Sequence, residues 1–186
     1  MAADDTGARV LASDSPEATL ALAEALGRVL PADSVVALTG ELGAGKTCFV
    51  RGLARGLGIA EVVASPTYTL MQSYAGGRLP LYHFDAWMEG REKALFADGG
   101  DEWLRAGGVA AVEWADRVAE WLPEPRLAVV LEHLGPDSRA VRLSVVGGAV
   151  QAVGGASGAV LAGLIGSLPL PPGVSEGASP GNPGRP

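Results

Sequence analysis

Basic charge is scarce in this chain. Fourteen Lys and Arg face 21 Asp and Glu, for a net charge of −7. A protein that grips nucleic acid unaided carries a basic patch, because phosphate contacts supply most of that affinity. Tight direct binding of RNA or DNA is therefore disfavoured. Cysteine is scarcer still, with Cys48 alone among 186 residues. That excludes an intramolecular disulfide framework and points to a reducing compartment. The first ten residues carry Asp4 and Asp5 and lack the apolar centre of a secretory signal. The expected location is the cytoplasm. No internal repeat is evident.

Glycine and proline are plentiful, 27 and 13, and unevenly spread. Gly40, Glu41, Leu42, Gly43, Ala44, Gly45, Lys46 and Thr47 read G-x-x-x-x-G-K-[ST]. This is the phosphate-binding loop of nucleotide triphosphatases. Residues 35–39 before it have the length and β-branched content of a buried strand, and residues 48–57 after it can wind as a helix. Glycines let successive N–H groups turn inward on an anion, and the helix start adds its own unpaired donors. Lys46 is placed to reach the β- and γ-phosphates, and the Thr47 hydroxyl to ligate Mg²⁺. ATP with Mg²⁺ is the expected ligand.

The remaining pattern alternates strands and helices. Residues 9–12 suggest a strand. Ser15 then caps a helix with Pro16 at its first position. Its apolar stripe is Leu22, Leu26, Val29 and Leu30, and Pro31 ends it. The helix after the loop stops near Gly56 to Gly58. A short extended piece is expected at 61–64. Residues 68–74 and 79–85 read as a hairpin around Gly76-Gly77. Residues 86–104 suggest short helical pieces, 109–114 a buried strand and 115–121 a short helix. An antiparallel pair at 127–133 and 140–146 closes around the turn at 135–138. The expected fold class is α/β: a P-loop NTPase-like mixed sheet flanked by helices, filling residues 1–146.

From Gly147 onward Gly, Ala, Pro and Ser dominate, and no charge appears before Glu176. Residues 149–168 match a bilayer span in length. Large apolar side chains are sparse there, and no Lys/Arg cluster or aromatic belt flanks them. No membrane association is expected. The tail, 147–186, is expected to be disordered.

Three further segments carry candidate chemistry. In Ser65-Pro66-Thr67-Tyr68-Thr69-Leu70, a hydroxyl on a proline-fixed turn can sense a γ-phosphate or its metal ion; an ordinary turn into a strand fits the same residues. Tyr82-His83-Phe84-Asp85 ends a strand, where α/β folds bind ligands. Asp85 there suits Mg²⁺ or an attacking water, and a simple capping role suits it too. His83 shares a face with Asp85 and reads as structural. Val112-Glu113-Trp114 has small apolar residues ending in an acid, the pattern of a second metal-site motif. Glu113 is assigned to the metal and Asp85 to the water; the reverse satisfies the same pattern. Trp87, Trp114 and Cys48 read as packing residues.

Taken in order and spacing, these four segments resemble the small bacterial TsaE (YjeE) ATPases, from about Leu11 to about Val146. The resemblance implies a P-loop ATPase that is weak alone and stimulated by partners. It implies association with the TsaD–TsaB proteins in forming threonylcarbamoyladenosine (t⁶A) at adenosine 37 of tRNAs that read codons beginning with adenine. The tRNA would then be met only through the complex. By the same resemblance, Lys46 and the loop backbone hold phosphates, Thr47 and Glu113 hold Mg²⁺, Thr67 is a switch-like threonine and Asp85 the essential aspartate. Asp14, Pro16 and Arg139 match nucleotide contacts by position. The family commonly shows Asp-Leu-Tyr-Arg where this chain has Asp85-Ala86-Trp87-Met88. Ala115 stands for a usual Pro, and Cys48 for a usual Thr or Ser. Two other readings use the same loop: a small-molecule kinase with 86–105 as a lid bearing Arg91 and Arg105, and a non-catalytic nucleotide-dependent interaction module.

Overall fold

The computed structural model describes residues 8–88, 90, 91, 96, 99–147 and 157–177. Strand β1 (Arg9–Ser13) leads into helix α1 (Pro16–Val29). Ser15 caps α1 by accepting from the Ala18 amide at 3.2 Å, and Pro16 presets the first turn. Strand β2 (Ser34–Thr39) runs through the phosphate loop into α2 (Lys46–Leu57). Strands β3 (Met71–Tyr74) and β4 (Leu81–Asp85) form a hairpin. Then come a 3-10 turn at Gly100–Arg105, β5 (Val109–Glu113), a second 3-10 turn at Ala115–Val118, and the antiparallel pair β6 (Arg126–His133) and β7 (Arg139–Val146).

All strands among the described residues join one mixed sheet in the order β3-β4-β5-β2-β6-β7-β1-β8, where β8 is Val174–Glu176. Four adjacent strands, β4, β5, β2 and β6, are parallel. The strands β4 and β5 are buried throughout, as both faces of a parallel sheet are covered. On one face lie α1 and α2, with Leu22, Leu26, Phe49, Leu53 and Leu57 packed over Val36, Leu38 and Ala111. On the other, Phe84, Phe96, Leu104, Val118 and Leu122 cover Val35, Ala37 and Val112. Parallel alignment sets the carboxyl ends of β2, β4 and β5 side by side, with Glu113 in register with both Leu38 and Asp85. That common edge carries the loop.

The two helices meet backbone to backbone. A Cβ on Gly52 would collide with the carbonyl of Leu20, and one on Gly56 with that of Glu24. Glycine inside a helix costs about 1 kcal/mol relative to alanine; here the missing side chains let α2 lie directly on α1.

Some local expectations are corrected. Residues 68–70 do not extend β3. The Leu70 amide donates to Pro66 O at 2.6 Å and Leu70 takes a φ of 64°, so the chain is still turning there. Residues 61–64 pair with no strand. The 115–121 helix is only the 3-10 turn 115–118. Most of 89–98, part of the suggested lid, lies outside the described residues.

The largest correction concerns the tail. Residues 148–156 and 178–186 lie outside the described residues, but 157–177 are not disordered. They form α3 (Gly158–Ser167) and β8. Leu161, Ile165 and Leu168 are buried in the main core, and β8 pairs antiparallel with β1. Arg9 clasps the segment: its Nη1 donates to the carbonyls of Ile165 and Leu168 at 2.9 and 2.8 Å, and its Nε and Nη2 to Glu176 at 3.0 and 2.6 Å. Sparse but well-spaced apolar residues suffice once a helix has a sheet to lie on. No helix among the described residues is long and apolar enough to cross a membrane.

Candidate active site

A cleft of about 390 Å³ opens at the sheet edge between the loop and the turn at Ser65 and Thr67. Gly43 and Gly45 hold positive φ, 78° and 105°, and nothing lies within 4 Å of where a Cβ would stand. Their backbone is therefore open to an approaching anion. Gly40 and Glu41 contribute carbonyls that accept from Lys46 Nζ at 2.7 and 2.9 Å. Leu42 is exposed at the mouth, while Ala44 is buried in the core and anchors the loop.

Lys46 is 5% exposed. Its Nζ also lies 3.5 Å from the centre of the Trp114 ring. Burial pushes its pKa below the usual 10.5, against the opposing pull of Glu113, Asp85 and Asp116. The ammonium is thus held by groups of low charge, poised to gain from an anion entering the cleft.

Two carboxylates from neighbouring strand ends sort themselves by partner. Thr47 Oγ1 donates to Glu113 Oε2 at 3.1 Å, while His83 Nε2 lies 2.8 Å from Glu113 Oε1. The carboxylate sets the His83 proton on Nε2. The other ring nitrogen, Nδ1, is buried without a hydrogen-bond partner among the described residues. Asp85 Oδ2 accepts from both Ser65 Oγ and Thr67 Oγ1 at 2.6 Å, and Asp85 Oδ1 from the Trp87 amide at 3.0 Å. The structure therefore brings Lys46, Thr47, Thr67, Asp85 and Glu113 together, all lining the one cleft.

Asp14, Pro16 and Arg139 do not line this cleft. Pro16 and Arg139 border a recess of about 30 Å³ beside it, and Asp14 borders the next cavity along the edge. Arg139 braces the loop from outside: its Nε donates to Ala44 O at 3.0 Å and its Nη2 to Gly43 O at 3.4 Å. These contacts fix the carbonyls of Gly43 and Ala44 on Arg139, and the Ala44 amide donates to Glu41 O at 3.1 Å within the loop. Cys48 sits between cleft and recess, and burial pushes its thiol pKa up, as suits an unreactive filler.

The two tryptophans were expected only to pack. They do pack on each other, with ring centres 4.4 Å apart, but they also form a wall of the cleft. The guanidinium of Arg117 lies 4.8 Å from the Trp87 ring centre. Ser65 was named only as part of its turn, yet it shares Asp85 equally with Thr67. The signal for Trp114 was its place directly after the strand-ending acid, where the chain must turn back over the loop. Its φ of 58° makes that turn.

These residues fit a nucleotide triphosphate with Mg²⁺. The open glycine backbone offers donors, and Thr47 with Glu113 offers one hydroxyl and one carboxylate. Among the described residues no group of three or more His, Cys, Asp or Glu is placed to hold a metal ion.

Comparison with known proteins gives a consistent picture. The family model described as "Threonylcarbamoyl adenosine biosynthesis protein TsaE" matches residues 13–141. The tRNA threonylcarbamoyladenosine biosynthesis protein TsaE of Bacillus subtilis (strain 168) is 42% identical over 134 residues, covering 72% of this chain and 83% of the relative. Its namesake from Treponema pallidum (strain Nichols) is 42% identical over 132 residues, covering 71% and 97%. The crystal structure of Bacillus subtilis YdiB superposes with a TM-score of 0.65 at 36% identity, over 75% of this chain and 86% of that one. On that match and those identities, the chain belongs to the TsaE family of threonylcarbamoyl adenosine biosynthesis proteins.

Proposed function

We propose that this protein is a Mg²⁺-dependent ATPase that serves tRNA t⁶A formation as a subunit working with the TsaD and TsaB proteins. The observation that carries the reading is the convergence of Thr47–Glu113 and Thr67–Asp85 on one phosphate loop. In this reading the loop amides and Lys46 bind the phosphates, with Lys46 turning from the carbonyls of Gly40 and Glu41 toward them. Thr47 and Glu113 hold Mg²⁺, which when bound offsets phosphate charge. His83 keeps Glu113 oriented through its Nε2–H. Asp85 accepts from whatever hydroxyl or water lies beside it, and Ser65 and Thr67 hold its Oδ2 toward the cleft. The two tryptophans limit water on that side.

The acidic charge of the chain supports meeting tRNA only through partners. In this reading, turnover is weak alone because a partner completes one wall of the cleft. A binding and phosphate-release assay tests the reading. Release without any acceptor, faster with TsaD–TsaB, is expected. Transfer of the γ-phosphate to a metabolite would make it a kinase. Survival of t⁶A formation in an Asp85→Asn variant that binds but does not hydrolyse ATP would make it a nucleotide-dependent interaction module.

A further inference from the structure

Trp87 follows the carboxyl end of β4 and is 39% exposed. A ring so open to solvent changes rotamer freely unless something holds it. Here Arg117 grips both its ring and its backbone. The guanidinium lies 4.8 Å from the centre of the Trp87 ring and 5.4 Å from that of Trp114. Its Nη1 donates to the Trp87 carbonyl. Arg117 is placed in turn by the 3-10 turn after β5. Its amide donates to Trp114 O at 3.0 Å, and the buried Val118 anchors the next position. One short turn thus follows Trp114 and folds Arg117 back over it.

What depends on Trp87 is Asp85. The Trp87 amide donates to Asp85 Oδ1 at 3.0 Å, which leaves Oδ2 to Ser65 and Thr67. We propose that Arg117 is a positioning residue for Asp85, acting through Trp87, and that it sets this carboxylate for hydrolysis without touching the nucleotide. This rests on the role given to Asp85 above. Asp85 is 4% exposed, so little water can replace a lost donor. Arginine suits the task because its flat guanidinium stacks on an aromatic face while its N–H groups donate. Lysine brings a point charge without that flat fork. Lys46 also rests on Trp114. When Lys46 turns to the phosphates, Arg117 stays on the tryptophan pair and the wall keeps its place.

The test uses the full chain with ATP and Mg²⁺, in single-turnover phosphate release beside calorimetric binding. Arg117→Ala slows release about 10- to 100-fold, the cost of a misplaced reacting group. ATP affinity stays within about 2-fold, since the loss falls on the chemical step. Arg117→Lys falls between alanine and the unaltered chain. Because Arg117 acts through Trp87, its removal costs less in a Trp87→Ala background than in the unaltered chain. Hydrogen exchange of the Trp87 amide quickens in Arg117→Ala. Arg117→Met keeps the side-chain stem and serves if the alanine variant does not fold. A full rate or unchanged Trp87 exchange in Arg117→Ala overturns the inference. So do equal costs in the two backgrounds, or a loss of ATP affinity that matches the loss of rate. All of these leave the ATPase reading intact. Absence of phosphate release from the unaltered chain, with and without TsaD–TsaB, overturns that reading and this one with it.

Discussion

The Lys46 ammonium rests 3.5 Å from the centre of the Trp114 ring, although 68 positions separate the two residues in the chain. The contact depends on a backbone turn that a large residue rarely makes, with Trp114 at a φ of 58°. Two effects can be separated there. Trp114→Ala and Trp114→Gly both remove the ring, and each is expected to change ATP affinity by about 2- to 30-fold, the range of a partly buried cation–π contact. Only glycine relieves the backbone, so Trp114→Gly should melt higher than Trp114→Ala, by about 1 kcal/mol of stability. Calorimetric titration and thermal melts read the two.

The pKa of Lys46 gives a pH prediction. Burial lowers it from 10.5 while Glu113 raises it. Carbon-13 NMR of the Lys46 side chain should show a midpoint below 10.5, and Glu113→Gln should move it lower still. The folded state then binds fewer protons than the unfolded chain between the lowered value and 10.5. By linkage, the destabilisation from this buried charge is full below the lowered pKa and fades as pH rises through that window. A rise in the midpoint on Glu113→Gln would refute this account.

Asp85 and Glu113 should separate by phenotype. Asp85→Asn can keep an oxygen on Ser65 and Thr67 only by turning its NH2 toward the Trp87 amide, which is itself a donor, and it loses the carboxylate charge. Phosphate release should fall by about 100-fold or more, with ATP affinity little changed. Glu113→Gln should instead weaken the Mg²⁺ dependence of ATP binding by about 10-fold or more. Titrations with and without Mg²⁺, beside single-turnover rates, distinguish them.

Two glycines predict opposite outcomes. Gly52→Ala gains about 1 kcal/mol of helix propensity. Its new Cβ meets the Leu20 carbonyl, which is backbone and cannot turn aside. Overpacking of about 1–3 kcal/mol should win, lowering the urea midpoint. Gly163→Ala on α3 meets nothing within 4 Å and should raise it by about 0.4–1 kcal/mol.

These residues also mark what was legible in the sequence. The strand, loop and helix around Gly40 to Thr47 were readable because local periodicity and a dense motif coincide. Asp85 and Glu113 were readable because strand-ending acids in a parallel sheet must share an edge. Which acid sits beside Thr47 was not fixed by spacing; strand order and register decide it. The use of Gly52 and Gly56 was not legible, since only the partner helix reveals it. The α3 segment looked structureless because Leu161, Ile165 and Leu168 are few, and their value depends on a sheet assembled from distant residues. Trp114 packs as its sequence suggests, but its contact with Lys46 depends on an unusual backbone angle that no local pattern announces.

The glycine contact between α1 and α2 has a mechanical consequence. Packed helices usually glide past one another on an intervening layer of side chains, a compliant bearing that permits shear. At Gly52 and Gly56 that bearing is missing, and main chain is keyed into main chain. The pair moves as one plate. Ser15 at the head of one helix and Thr47 at the head of the other keep a fixed spacing through any motion of the cleft. Any closing travel is then left to the opposite jaw, the turn of Ser65 and Thr67 with Trp87 beside it.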